Sequence, residues 1–173
     1  MAKIDIKRVT NANVYLDGTS FLGRAEEVEL PNIKHKMVEH KALGMVGTIE
    51  AWSGIEKMEA KFKWASFYKE VLAKAADPFK AVSVQVRSSL ETYTSAGRVS
   101  EVPVVVFLTG QFDSIPTGKY KQHDNVELEC GMAVSYCKVV VDGADVVEFD
   151  AFANIYKADG KDLLSTYRAN IGG

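Results

Sequence analysis

Four stretches of this chain repeat with a period of two rather than with the spacing of a helix face. KMEAKFKW (57–64) alternates strictly, while VSVQVRSSLETY (82–93), VPVVVFLTGQF (102–112) and VELECGMAVSYCKVVV (126–141) alternate or run β-branched. Successive side chains of a strand point to opposite faces, so these stretches read as strands. The chain is mainly β. Asp17-Gly18 and Asp142-Gly143 each follow a short apolar run, VYL and VVV. A type I′ turn needs positive φ at both central residues, so both dipeptides mark hairpins.

One helix interrupts the strands. SFYKEVLAKAADP places Phe67, Tyr68, Val71, Leu72, Ala75 and Ala76 on one stripe, with Ser66 at the N-cap and Pro78 driving Asp77 out of the helical region. A shorter helix is expected in DLLSTYRAN, where Leu163, Leu164 and Tyr167 share a face. No Pro/Gly/Ser-rich linker divides the chain, so residues 1–173 are one domain. Residues 1–13 are polar without a clear strand pattern and read as an N-terminal arm; residues 159–173 form a C-terminal segment ending in Gly-Gly.

Composition narrows the function classes. With 47% apolar residues, 25% charged residues, a net charge of -2 and a pI near 5.9, the sequence is that of a soluble protein without a basic coat for nucleic acid. There is no secretory h-region and no run near the ~18 apolar residues of a membrane span, so no membrane anchor is expected. Nucleotide-binding, hydrolase, zinc-protease and calcium-loop motifs are absent. His123 beside Asp124 has no nucleophile near it in sequence, and alternation explains Glu127 and Glu129 as a charged strand face. No catalytic, cofactor or metal site is expected.

The run EVELPNIKHKMVEHK (27–41) tests this. Alternation holds on either side of Pro31 but changes register across it, as a bulge or kink in one long strand would cause. In such a strand His35 and His40 face opposite sides, about 17 Å apart, and cannot share a metal. The same parity puts Cys130 and Cys137 on opposite faces roughly 23 Å apart, too far for a disulfide. Next comes ALGMVGTIEAWSG (42–54), a glycine-bearing loop that carries Leu43, Met45, Val46, Ile49 and Trp52. Water does not favour exposing these together, so either the loop folds back on its own core or another chain covers it.

Several pieces, in order and spacing, resemble the major tail tube protein family of contractile-tailed bacteriophages, the FII family, which R-type pyocins share. They are NVYLDG at 13–18, the Leu-Pro-x-Ile kink at Leu30 to Ile33, Gly44-Met45, the Tyr-x-Lys-Val-x-x-Asp-Gly of Tyr136 to Gly143, and the Arg-x-Asn-Ile-Gly of Arg168 to Gly172. The resemblance runs nearly end to end and is weakest between Trp64 and Val102. It implies a β-sandwich or barrel-like tail tube subunit with a flanking helix. Six copies would form a ring around a lumen, and rings would stack into a tube in the virion tail or bacteriocin particle.

The implied partners are further copies of the chain, the sheath protein outside, a tape measure protein and DNA in the lumen, and baseplate and terminator proteins at the ends. Assembly would take place in the host cytoplasm, and the role is structural rather than enzymatic. On this reading residues 42–54 are the inter-subunit loop, with Leu43, Met45, Val46, Ile49 and Trp52 as its contacts. Strand parity sends Met58, Ala60, Phe62 and Trp64 to the core and Lys57, Glu59, Lys61 and Lys63 to the lumen. Asn32, Lys34 and Lys36 join them after Pro31, as do Glu127, Glu129 and Ser135 from the later strand. The rival readings are the tube of a type VI secretion-like injection system, a monomeric ligand-binding β-sandwich with residues 42–54 as a lid, and a hydrolase using acidic residues.

Overall fold

The computed structural model describes residues 4–172. Twelve strands and two helices follow in the order β1 (Ile6–Leu16), β2 (Thr19–Ser20), β3 (Ala25–Glu29), β4 (His35–His40), β5 (Ile49–Ile55), β6 (Met58–Trp64), α1 (Lys69–Ala75), β7 (Val82–Thr94), β8 (Gly97–Phe112), β9 (Leu128–Val141), β10 (Ala144–Asp150), β11 (Ile155–Ala158), β12 (Lys161–Asp162) and α2 (Ser165–Ile171). Ten strands form one antiparallel sheet, β12-β11-β10-β9-β8-β7-β1-β2, from which β6 and β3 branch; β4 and β5 form a separate two-stranded sheet. The branch point is β9. Its first half pairs with β6 along one edge, its second half pairs with β10 along that same edge, and β8 runs along the other.

The core lies where the sheet curls under α1. Along β6 the burial is strictly alternating, with Met58, Ala60, Phe62 and Trp64 inside, as parity requires. They meet Val14 and Leu16 from β1, Val82, Val84 and Val86 from β7, Leu108 and Phe112 from β8, Leu128 and Met132 from β9, and Val71 and Ala75 from α1. Trp64 is fully buried, edge-on to Phe21 at 5.4 Å and stacked on Phe62 at 5.9 Å, and its indole N–H donates to Cys130 Sγ at 3.4 Å. Truncating an aromatic of this kind costs about 3–5 kcal/mol.

The Asp-Gly hairpins form as expected. Asp17 and Gly18 have φ of 45° and 81°, and Asp142 and Gly143 have 51° and 77°. Asp17 does more than turn the chain, since its carboxylate accepts from the Ser83 N–H at 2.9 Å and pairs with Lys74 of α1. Burial opposes its ionisation, but the Lys74 and Ser83 hydrogen bonds prevail and hold its pKa below the usual carboxylate value. One acid thus joins the first hairpin, the start of β7 and the helix.

The structure corrects several expectations. The 27–41 run is two strands in two different sheets, not one kinked strand: β3 ends at Glu29, the backbone from Leu30 to Lys34 is unpaired with any strand, and β4 restarts at His35. Proline has no N–H for a ladder, so Pro31 is where the chain leaves the main sheet. Residues 42–54 are only partly a loop, because β5 begins at Ile49 and pairs antiparallel with β4 from His40↔Ile49 to His35↔Ile55.

The 1–13 arm is a strand from Ile6, pairing with β7 from Ile6↔Tyr93 onward; Met1 to Lys3 lie outside the described residues. It shows no alternation because this end of the sheet has no core behind it, and Ile6 to Ala12 are exposed throughout. Ser66 does not cap α1; the helix starts at Lys69 with Tyr68 at the N-cap and no side-chain cap bond, and Phe67 is exposed. Helix α2 begins after Leu163 and Leu164, which precede its first turn, and ends at Gly172 with φ of 83°; Gly173 lies outside the described residues.

A bulge overturns the parity given to the cysteines. Thr109 pairs with Tyr136 and Gly110 with Val134, which leaves Ser135 as the extra residue, its hydroxyl donating to the Thr109 carbonyl at 3.2 Å. Buried positions therefore shift from even numbers (Cys130, Met132, Val134) to Cys137. Both cysteines face the core, 5% and 2% exposed, and both are free thiols. Burial pushes the Cys137 thiol up to about 11 and raises that of Cys130. Gly110 is required at the bulge, since a Cβ there would lie 2.1 Å from the Ala133 carbonyl oxygen.

Candidate assembly surfaces

Three surfaces combine unusual exposure with organised chemistry. The first is the β4–β5 hairpin, which stands off the main sheet. Every residue of β4 is exposed, as are the first five of β5. At its tip Leu43 and Val46 are as exposed as in an extended chain, at 105% and 107%, while Met45, Ile49 and Trp52 are at 39%, 54% and 44%. Met37 and Val38, which the sequence reading did not single out, add to the apolar surface at 45% and 49%. The base of the hairpin is fixed: the Trp52 indole N–H donates to His35 Nδ1 at 2.9 Å, and the His35 ring meets Tyr156 of β11 edge-on at 6.0 Å.

The second is the outer face of β3, β6 and the first half of β9. Register aligns Glu27, Lys63 and Glu129 in one cross-strand row and Glu29, Lys61 and Gly131 in the next. Lys61 pairs with Glu29 at 2.9 Å, Lys63 with Glu26 and Glu127 at 3.2 Å each, and Lys57 with Glu59 at 2.6 Å. The hydrogen bonds that these lysines donate to the acids raise the pKa of Lys57, Lys61 and Lys63, and the Lys57 bond lowers that of Glu59. Screened pairs of this exposure add little to folding. Their effect is to make a wetted face of mixed sign.

Of the ten residues assigned to a lumen, six share this face: Lys57, Glu59, Lys61, Lys63, Glu127 and Glu129. Asn32 and Lys34 lie on the link after Pro31. Lys36 belongs to the hairpin, and Ser135 sits in the bulge with its hydroxyl turned to its own backbone. Parity carried through Pro31 and through the bulge therefore does not bring those two onto the charged face. Glu26 and Glu29 were not foreseen as partners of the lysines, because the β3–β6 register is a long-range fact.

The third is the C-terminal unit, β10 to α2. Glu148 accepts from Lys157 at 2.8 Å and from the Tyr136 hydroxyl at 3.1 Å, and Asp162 pairs with Arg168, whose guanidinium also donates to the Asn154 carbonyl at 2.9 Å. The Lys157 bond holds Glu148 below the usual carboxylate range, the Arg168 bond does the same for Asp162, and burial together with Glu148 pushes Tyr136 up to about 12. Every charge in this network has a counterpart. Among the described residues no group of His, Cys, Asp or Glu side chains converges as a metal site, and no helix is long and apolar enough to cross a membrane.

Residues 6–172 match the family model described as phage tail tube protein FII. The chain belongs to this tail tube family. It is 30% identical over 164 residues to the tail tube protein of Escherichia phage P2, covering 92% of this chain and 94% of the relative. It is 27% identical over 159 residues to the major tail tube protein of Serratia phage KSP20, covering 91% and 90%. The fold of this tail tube protein is similar to that of a chain in the sheath-tube complex of an extracellular contractile injection system in its extended state. That match has a TM-score of 0.51 at 10% identity, over 75% of this chain and 86% of the other. In this tail tube protein the apolar hairpin and the open sheet edges are therefore features of a chain whose family builds tubes.

Proposed function

We propose that this chain is the structural, non-catalytic subunit of the inner tube of a contractile phage tail or phage-like bacteriocin, and that its hexameric rings stack into a hollow tube. A sheath surrounds this tube, a tape measure protein and, in a phage, DNA occupy its lumen, and baseplate and terminator proteins close its ends. It is assembled in the host cytoplasm and becomes part of the virion tail. The observation that carries this reading is the β4–β5 hairpin, with Leu43 and Val46 fully exposed at its tip. A soluble monomer gains nothing from such a tip, whereas a head-to-tail contact, which closes by rotation or stacks without closure, covers it. The outer edge of β1 from Ile6 to Ala12 supports the same reading, as a long unpaired strand edge invites pairing with another chain.

The mixed-charge face of β3, β6 and β9 is the wall of the lumen in this proposal. A uniformly basic wall would hold a passing polyanion through many phosphate contacts, whereas lysines already paired with Glu26, Glu29 and Glu127 present few. Negative-stain microscopy of the purified chain tests the proposal. Hollow tubes of uniform width are expected; a protein that stays monomeric at high concentration would favour the ligand-binding sandwich instead.

A further inference from the structure

The base of the hairpin and the C-terminal unit line an open groove of two adjoining cavities that share Trp52 and Leu164. On one side Trp52, Phe149, Leu164 and Tyr167 line a cavity of about 390 Å³; on the other His35, Trp52, Tyr156, Leu163 and Leu164 line one of about 320 Å³. The Trp52 indole is oriented by its bond to His35. Near the groove Glu148 is matched by Lys157 and Asp162 by Arg168, and the Asp150 carboxylate accepts from the Phe152 and Ala153 N–H groups at 2.9 and 3.0 Å. Leu163 and Tyr167 remain 49% and 53% exposed.

The same chain carries a plug with no partner. Leu43 and Val46 are fully exposed at the far end of the hairpin whose base forms the groove. From Met37↔Trp52 to His40↔Ile49 the paired ladder runs away from the groove, which puts the end of the ladder about 10 Å beyond Trp52 and the tip further still. Plug and socket are joined by a two-stranded ladder that cannot fold back on itself, so they cannot meet within one chain. They can meet between two.

We propose that the groove around Trp52 is the socket for the hairpin tip of a second copy of this chain, with Leu43 and Val46 seated on either side of the Trp52 indole. This rests on the tube reading and specifies its contact. Because the two surfaces differ, the contact is heterologous and repeats from copy to copy. Apolar anchors in a preformed pocket are where interface energy concentrates.

Site-directed cross-linking decides it. Chains carrying Leu43→Cys and chains carrying Leu163→Cys are mixed in equal amounts, co-assembled with excess wild-type chain to dilute any assembly defect, and oxidised. The native cysteines are buried and give little background. Disulfide-linked dimers are expected from the mixture and not from either variant alone, nor from Leu43→Cys mixed with Val99→Cys, a site on the far end of β8. Tubes without the dimer, or with equal yield from the Val99→Cys control, would overturn the socket while leaving the tube reading intact. If wild-type chain forms no tubes, both fall together.

Discussion

Strand β6 and the β4–β5 hairpin are made from similar residues and treat them oppositely. Met58, Phe62 and Trp64 are 0–3% exposed, while Met37, Met45 and Trp52 are 39–45% exposed. The difference lies in what stands behind each sheet. Core residues of β1, β7, β8, β9 and α1 pack with those of β6; the hairpin has only its base against the C-terminal unit. Apolar surface that a chain cannot cover by itself is surface offered to another, so the first set is assigned to folding and the second to assembly.

The largest effect expected from this contrast is at Trp64. Trp64→Ala should remove about 3–5 kcal/mol, seen as a large fall in the urea midpoint or as insoluble protein. Trp52→Ala should lower monomer stability by only about 1 kcal/mol, for the lost hydrogen bond to His35, yet sharply reduce tube yield. Equal destabilisation by the two variants would erase the distinction between the regions.

Next in size is the bulge that places both cysteines in the core. Gly110→Ala would push a Cβ to 2.1 Å from a backbone carbonyl and should cost about 1–3 kcal/mol. Gly131→Ala would meet the Asp113 carboxylate at 2.2 Å, an exposed side chain that can rotate away, and should cost less. Chemical denaturation of the two variants checks the order, and a reversed order would place the tight crossing elsewhere.

What could be read from the sequence follows the same division. The period of two identified β6, β7, β8 and β9 because each has a core on one side for at least part of its length, and the Asp-Gly turns were legible from φ requirements alone. The first half of β1 escaped notice, although VYL at its end did not, because Ile6 to Ala12 bury neither face and so need no pattern. Parity also failed wherever a bulge or break intervened, at Ser135 and at Pro31, since a single inserted residue reverses every side chain beyond it. The apolar residues of 42–54 were found by composition, but that they stand on a ladder with β4 depends on a pairing between β5 and a strand on the other side of the tip. The charge lattice likewise needed the β3–β6 register.

Acid should then weaken the core region and the C-terminal unit before it alters the apolar hairpin. Asp17, Glu148 and Asp162 all have folded pKa values held below the ordinary carboxylate range. The stability they confer is complete above that range, near pH 4, and is lost as pH falls through the depressed folded values. Tyr136 acts in the other direction: its contribution is complete below the ordinary phenol value near 10 and is lost as pH rises toward about 12. Melting temperatures of the monomer from pH 7 down to pH 2 and up to pH 12 check both limbs; a flat profile would mean that these pairs are open in solution.

The smallest effect is expected on the charged face. Lys61→Gln and Lys63→Gln should leave the urea midpoint unchanged within error, because the pairs are exposed and screened. A marked loss of stability would mean that this face is covered within the monomer, contrary to its assignment as a wetted wall.

The most direct measurement is a cryo-EM reconstruction of the tube formed by the purified chain, read for the fate of two places on each subunit. The account predicts that Leu43 and Val46 are buried against Trp52 and Leu163 of another copy while Lys61 and Lys63 face the central channel. A tube in which the hairpin tip remains in solvent, or in which Lys61 and Lys63 lie on its outer wall, would contradict it.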